Sequence, residues 1–143
     1  MSGDNNAALA REFFERQYAG DVDGAMAMLA DDAVWWLIGT LPASGSHVGP
    51  EAIRTRLLAP FAPIWEGGSG QTPDIRSVIA DGEHVVLEIT AQGTTGHGSR
   101  YENFYCYVLR VRDGRIDRIR TYTDTGYALG VLWGPLRDHP PID

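Results

Sequence analysis

The 143-residue sequence suits one compact domain, and its 43% of apolar residues is enough to form a buried core. Its 12 basic and 19 acidic side chains give a net charge of −7, which argues against nonspecific nucleic-acid binding because such binding depends on phosphate neutralisation. Every basic residue is an arginine, so the chain has no lysine for Schiff-base catalysis or for a P-loop.

The single cysteine and the hydropathy pattern exclude further classes of protein. Cys106 has no second cysteine to pair with, which excludes an intrachain disulfide and a cysteine-based zinc site. The spacing of the histidines and acidic residues predicts no metal site, and no cofactor is expected. The sequence also shows neither a long apolar run nor the basic start of a signal peptide, so we predict no membrane contact and a cytoplasmic location.

Helical periodicity dominates the first part of the chain. It predicts a helix at 6–19, which Gly20 ends, and a second helix at 23–30. The apolar and aromatic stretch at 29–39 predicts a strand, and 41–49 is expected to be a loop. Pro50 suits the first turn of a third helix at about 50–59.

The second part of the chain alternates as strands do. Four strands are predicted near 74–80, 83–92, 101–112 and 115–124. Helices followed by a run of strands indicate the α+β class. With no repeat and no break in composition, we expect a single domain over 1–143, with its core at about 8–132 and an irregular, proline-rich tail at 133–143.

The turn at Asp113-Gly114 sets a register for the last two strands, because Asp-Gly favours a tight hairpin. Strict alternation from this turn places Tyr107 opposite Arg120 and Tyr105 opposite Tyr122. The preceding hairpin, if it is centred near 96–97, places Glu88 opposite Tyr105.

Two faces of the sheet follow from this register. The tyrosine-rich face is predicted to form a dimer interface, because tyrosine combines apolar area with a polar tip. Its interface residues are Glu88, Asn103, Tyr105, Tyr107, Arg120 and Tyr122. The apolar face should turn towards the helices.

Two segments carry a family resemblance. The stretch GDVDGAMAMLADDAVWW at 20–36 and the stretch DGRIDRIRTYTDT at 113–125, in this order of elements, resemble the SnoaL-like branch of the nuclear transport factor 2-like superfamily over roughly 8–132. The resemblance implies a cone-shaped, curved antiparallel sheet wrapped around three helices from the N-terminal half. It also implies an internal apolar pocket for a small hydrophobic molecule and a homodimer through the outer sheet face.

The catalytic positions of the ketosteroid isomerases in this superfamily are not kept. The position that matches their general-base aspartate is Leu37. Their oxyanion-hole tyrosine falls at Phe13 or Phe14, and their neutral acid falls at Cys106. The sequence therefore argues against ketosteroid isomerase activity.

The catalytic positions of the limonene epoxide hydrolases in this superfamily are not kept either. Thr121 stands where their catalytic aspartate falls, and their Tyr-x-Asn becomes Trp35-x-Leu37. Their Arg-x-Asp pair is absent from 87–91. Epoxide hydrolysis by that mechanism is therefore not expected.

The polyketide cyclases of the superfamily offer one candidate position. They use an acidic residue late in the last strand, which Asp124 resembles. Strict alternation places Asp124 away from the pocket, so a bulge is needed to turn it inward. We predict Asp124 as the acid/base residue, with His47 and Tyr18 as hydrogen-bonding partners.

The predicted pocket is mainly apolar. Its lining is expected to include Phe14, Trp35, Leu37, Leu57, Leu87, Phe104, Cys106, Val108, Ile119 and Thr121. Two functions stay open. One is a cofactor-free isomerase, cyclase or hydratase that moves protons on a hydrophobic carbonyl or polycyclic metabolite. The other is a non-catalytic binding or accessory protein, which the replaced acid/base positions favour.

Overall fold

The computed structural model describes residues 3–134. Its elements in chain order are α1 (Gly3–Tyr18), α2 (Val22–Met26), β1 (Leu29–Leu37), β2 (Gly45–Val48), α3 (Pro50–Ala52), a π-helix (Ile53–Leu58), a 3₁₀ helix (Ala59–Phe61), α4 (Ala62–Trp65), β3 (Gly70–Asp81), β4 (His84–Thr94), β5 (Arg100–Arg112), β6 (Arg115–Thr123) and α5 (Thr125–Leu132). Within this part of the chain, no helix is both long and apolar enough to span a membrane.

The six strands form one curved sheet, open at its edges, in the order β2-β1-β6-β5-β4-β3. Neighbouring strands are antiparallel, except that β1 runs parallel to β6, so the sheet is not wholly antiparallel as predicted. The predicted α+β cone is confirmed. The short strand β2 lies where a loop was expected, and α5 was not foreseen.

The helices cover the inner face of the sheet. Helix α1 packs across β3, β4 and β5 and buries Ala10, Phe13 and Phe14, whose spacing puts them on one side of the helix. The predicted third helix is instead the composite segment 50–65. Pro60 and Pro63 lack the backbone N–H that a continuous helix needs there, which accounts for the short pieces.

The register between β5 and β6 changes at Asp117. Arg112 pairs with Arg115 as predicted, but Arg110 pairs with Arg118, so Asp117 is an extra residue in β6. Its carboxylate accepts two hydrogen bonds from the guanidinium of Arg110, at 2.8 and 3.0 Å. Beyond the bulge, every β5 residue has moved by one position relative to β6.

The pairing of β4 with β5 is also one residue from the prediction, with Tyr105 opposite Ile89 instead of Glu88. A one-residue shift turns every side chain of a strand to the other face. The odd-numbered residues of β5 therefore point inward. Tyr107 lies opposite Thr121 and Tyr105 opposite Thr123.

The predicted faces of β5 are consequently wrong. Phe104, Cys106 and Val108, predicted in the pocket, belong to the outer face, where Phe104 is 64% exposed. Asn103, Tyr105 and Tyr107, predicted at a dimer interface, belong to the inner face. The other three predicted interface residues lie on the outer face, namely Glu88, Arg120 and Tyr122.

Candidate functional site

A cavity of about 330 Å³ lies between the inner face of the sheet and the helical layer. Its larger apolar side chains are Trp35, Leu37, Leu57, Leu58, Phe61, Trp65 and Leu132. Its polar side chains are Gln17, Tyr18, Gln71, Tyr105, Tyr107 and Thr121. Among the described residues that line it, none carries a carboxylate, an imidazole or a guanidinium.

The residues predicted to line the pocket divide into three groups. Trp35, Leu37, Leu57 and Thr121 are in the cavity wall. Phe14, Leu87 and Ile119 are buried in the core without lining the cavity. The remaining three are the β5 residues that the shifted register places on the outer face.

Tyr18 and Tyr107 form a hydrogen-bonded pair in the wall. Tyr18 ends α1, Tyr107 lies in β5, and their hydroxyl oxygens are 2.8 Å apart. Burial is the largest cause that raises the pKa of both phenols above the usual value. Both therefore stay protonated at neutral pH. Because the pair uses one hydrogen for its own bond, the other hydroxyl hydrogen is available to a ligand.

A second pair of phenols lies beside the first. The ring of Tyr105 stacks on that of Tyr107, with centroids 5.7 Å apart and an angle of 6° between the planes. The hydroxyl of Tyr105 is 2.5 Å from that of Tyr101, which is buried behind the wall. Burial raises the pKa of both hydroxyls. The wall is thus rich in neutral hydrogen-bond donors.

Trp35 and Thr121 form a buried hydrogen bond in the wall. The indole N–H of Trp35 donates to the hydroxyl oxygen of Thr121 at 2.8 Å, and both side chains are buried. The buried indole N–H is therefore not left unpaired, which would cost stability.

Asp124 and His47, which were predicted to act in the site, do not line the cavity. Asp124 is exposed and caps α5, where its side chain accepts a hydrogen bond from the backbone N–H of Tyr127 at 2.9 Å. His47 pairs with Trp35 across β1 and β2, and its Nε2 donates to the carbonyl oxygen of Ala43 at 2.8 Å. Of the three predicted catalytic residues, only Tyr18 lies in the wall.

Within residues 3–134, no group of three histidine, cysteine or acidic side chains is arranged to hold a metal ion. The chemistry of the wall itself is that of hydrogen-bond donation by phenols. Tyr105 and Tyr107 were missed as cavity residues because the predicted register ignored the bulge. A signal for it was present, since Ile116 and Ile119 are both apolar but three residues apart, which strict alternation cannot bury on one face.

A family model for the SnoaL-like domain matches residues 10–119. The comparison with curated protein sequences finds no match. Among solved structures, the chain is similar to an M. tuberculosis LEH-like epoxide hydrolase, with 26% identity, 94% of each chain covered and a TM-score of 0.71.

Two other solved structures share the fold at lower identity. A putative polyketide cyclase from Xanthomonas campestris pv. campestris is 20% identical over 91% of this chain and 98% of that one, with a TM-score of 0.73. TerC, co-crystallised with polyporic acid, is 19% identical over 90% of this chain and 98% of that one, with a TM-score of 0.78.

Proposed function

The chain belongs to the SnoaL-like domain family, and from that premise we propose that its cavity binds a small, neutral, mostly apolar molecule through a carbonyl group. The observation that carries this proposal is the Tyr18–Tyr107 pair, which offers a phenol hydrogen inside an apolar wall. A carbonyl oxygen is a neutral acceptor that suits such a donor.

The wall favours a neutral ligand over an ionised one. Burial of an unpaired charge in an apolar site carries a large desolvation cost, and the described wall residues supply no opposite charge. The volume of about 330 Å³ lies near the lower end of the range of about 300 to 1,000 Å³ for small-molecule sites. The ligand is therefore compact. TerC, which shares this fold, was co-crystallised with polyporic acid, which supports a small organic ligand but not its neutrality.

A phenol that donates a hydrogen bond to a carbonyl also supplies the donor that an acid/base reaction needs. It stabilises the negative charge that develops on oxygen when the carbonyl enolises or is attacked. The proposed activity is a cofactor-free isomerisation, cyclisation or hydration. Water or the ligand itself acts as the proton acceptor. The similarity to a putative polyketide cyclase is consistent with such chemistry.

A second candidate function is binding without catalysis. The observation that favours it is the lack of a carboxylate or imidazole among the described residues of the wall. A site of this kind holds a carbonyl compound firmly but does not take a proton from it. Epoxide hydrolysis is not proposed, because the described residues of the wall offer no carboxylate to activate water.

The test uses 1-tetralone, a neutral bicyclic ketone, in a calorimetric titration. We expect binding to the parent chain and a two- to tenfold weaker affinity, roughly, for the Tyr18→Phe/Tyr107→Phe double variant, which loses one hydrogen bond but little volume. Tyr122→Phe on the outer face is the matched control. Equal affinity for the parent chain and the double variant would contradict the proposal, and so would no binding at all.

The same ketone separates catalysis from binding. In deuterated water, enolisation exchanges the hydrogens on the carbon next to the carbonyl, which proton NMR detects. If the parent chain accelerates this exchange and the double variant does not, the result would support catalysis. Tight binding with no acceleration would support the non-catalytic function.

A further inference from the structure

We propose that Asn103, acting through Tyr101, turns the hydroxyl hydrogen of Tyr105 towards the cavity and so makes Tyr105 a second donor to the ligand. Asn103 is then a positioning residue, because it lies behind the wall and acts only through Tyr101. This inference rests on the proposed function, and it adds a residue that determines which ligands the site prefers.

The side-chain amide of Asn103 has only one orientation that fits its neighbours. Its Oδ1 faces the backbone N–H of Phe104 at 2.8 Å, and its Nδ2 faces the backbone carbonyl oxygen of Asp124 at 3.1 Å. A backbone N–H only donates and a carbonyl oxygen only accepts. Exchange of the two amide atoms would set donor against donor and acceptor against acceptor, so Nδ2 is the donor.

This orientation fixes the direction of the next hydrogen bond. The Nδ2 of Asn103 also lies 2.9 Å from the hydroxyl oxygen of Tyr101, which must accept. Tyr101 is 0% exposed and Asn103 is 1% exposed, so water does not reach either group from outside. Within residues 3–134, the remaining partner of the Tyr101 hydroxyl is Tyr105, at 2.5 Å.

The Tyr101 hydrogen therefore goes to Tyr105. In the reverse arrangement, Tyr101 would accept two hydrogen bonds and its own buried hydrogen would have no partner among the described residues, which costs stability. With Tyr101 as donor, the hydrogen of Tyr105 is left for a ligand, and Tyr105 is in the cavity wall. Tyr105 stacks on Tyr107, so the two sources of donated hydrogen lie side by side.

The substitution Asn103→Asp should reverse this chain of hydrogen bonds. A carboxylate only accepts, so Tyr101 would donate to it. Tyr105 would then donate to Tyr101, and its hydroxyl hydrogen would no longer be available to the ligand. The substitution Tyr101→Phe should have the opposite effect, because Tyr105 then has no acceptor behind it and keeps its hydrogen for the cavity.

The readout is the ratio of the affinities for 1-tetralone and for tetralin, the hydrocarbon without the carbonyl, at mildly alkaline pH. General damage to the cavity weakens the binding of both ligands, whereas the loss of a hydrogen-bond donor weakens the binding of the ketone only. We expect Tyr105→Phe and Asn103→Asp each to lower the ratio by about two- to tenfold, with no further loss in the double variant. Tyr101→Phe should keep the parent ratio.

Asn6→Asp is the matched control, because Asn6 is also 1% exposed but lies away from the cavity and donates to the carbonyl oxygen of Gly82. An unchanged ratio in Tyr105→Phe would overturn the proposal, and so would an unchanged ratio in Asn103→Asp. If Asn103→Asp does not fold, a lowered ratio in Tyr101→Phe overturns it. An unchanged ratio in Tyr18→Phe/Tyr107→Phe would instead count against the proposed function.

Discussion

Tyr18 and Tyr107 share a hydrogen bond inside an apolar wall, and burial raises the pKa of both hydroxyls. Neither phenol is available as a base at neutral pH. Each is instead a neutral donor that costs no charge to bury, which suits a carbonyl oxygen better than an anion. The chemistry of the site at the level of single residues is therefore donation of hydrogen bonds.

These raised pKa values predict a loss of stability at alkaline pH. The unfolded chain releases its phenol protons above about pH 10, whereas the folded chain keeps those of Tyr18 and Tyr107, so the free energy of unfolding falls as pH rises beyond that point. Urea denaturation at a series of pH values measures this fall. It should be shallower in Tyr18→Phe/Tyr107→Phe than in the Tyr122→Phe control. An equal fall of the free energy of unfolding with pH in the two variants would contradict the raised pKa values of the pair.

Among the elements, α5 explains the position of Asp124. This residue follows β6 directly and caps α5 through its side chain, while its backbone carbonyl oxygen accepts a hydrogen bond from Asn103. The acidic residue that the family resemblance predicted to be catalytic is thus a helix cap. Its position after the last strand fits both roles, so the acid/base role stays a prediction that a substitution can test.

Asp124→Asn should keep both stability and ketone binding, because asparagine caps helices about as well as aspartate. Asp124→Ala should lower the free energy of unfolding by about 0.5 to 2 kcal/mol through the lost cap. Urea denaturation measures the stability and calorimetry with 1-tetralone the binding. A loss of catalysed exchange in Asp124→Asn with unchanged stability would return Asp124 to the role of acid/base residue.

The strands show how far the sequence determines the site. The Asp113-Gly114 turn correctly predicted that Arg112 pairs with Arg115, because turn chemistry is local. The bulge at Asp117 depends on two isoleucines three residues apart and on an arginine in the neighbouring strand, so alternation alone missed it. This bulge, together with the shifted pairing of β4 and β5, decides which β5 side chains face the cavity.

At the level of the whole molecule, the outer face of the sheet has the composition of an interface. It exposes Phe104 (64%), Ile79 (60%) and part of Tyr122. Arg120 on β6 and Glu88 on β4 also lie on this face, on opposite sides of β5. The homodimer predicted from the family resemblance stays a prediction, with the three inward-facing β5 residues removed from its interface.

Phe104→Arg should convert the dimer to a monomer, because it places a charge in the apolar part of this face. Ala8→Arg on the exposed side of α1 is the control and should leave the dimer intact. Analytical ultracentrifugation measures the mass of each species. A parent chain that sediments as a monomer at micromolar concentration would contradict the prediction.

The family resemblance implies the cone and its cavity, whereas the ligand depends on which hydroxyl hydrogens face inward. The most direct measurement of that is the carbon-13 NMR frequency of the carbonyl carbon in labelled 1-tetralone bound to the protein. We predict a higher frequency in the parent chain than in Tyr18→Phe/Tyr107→Phe, because hydrogen-bond donation polarises the carbonyl. The same frequency in both would show that the phenol pair does not bind the carbonyl oxygen.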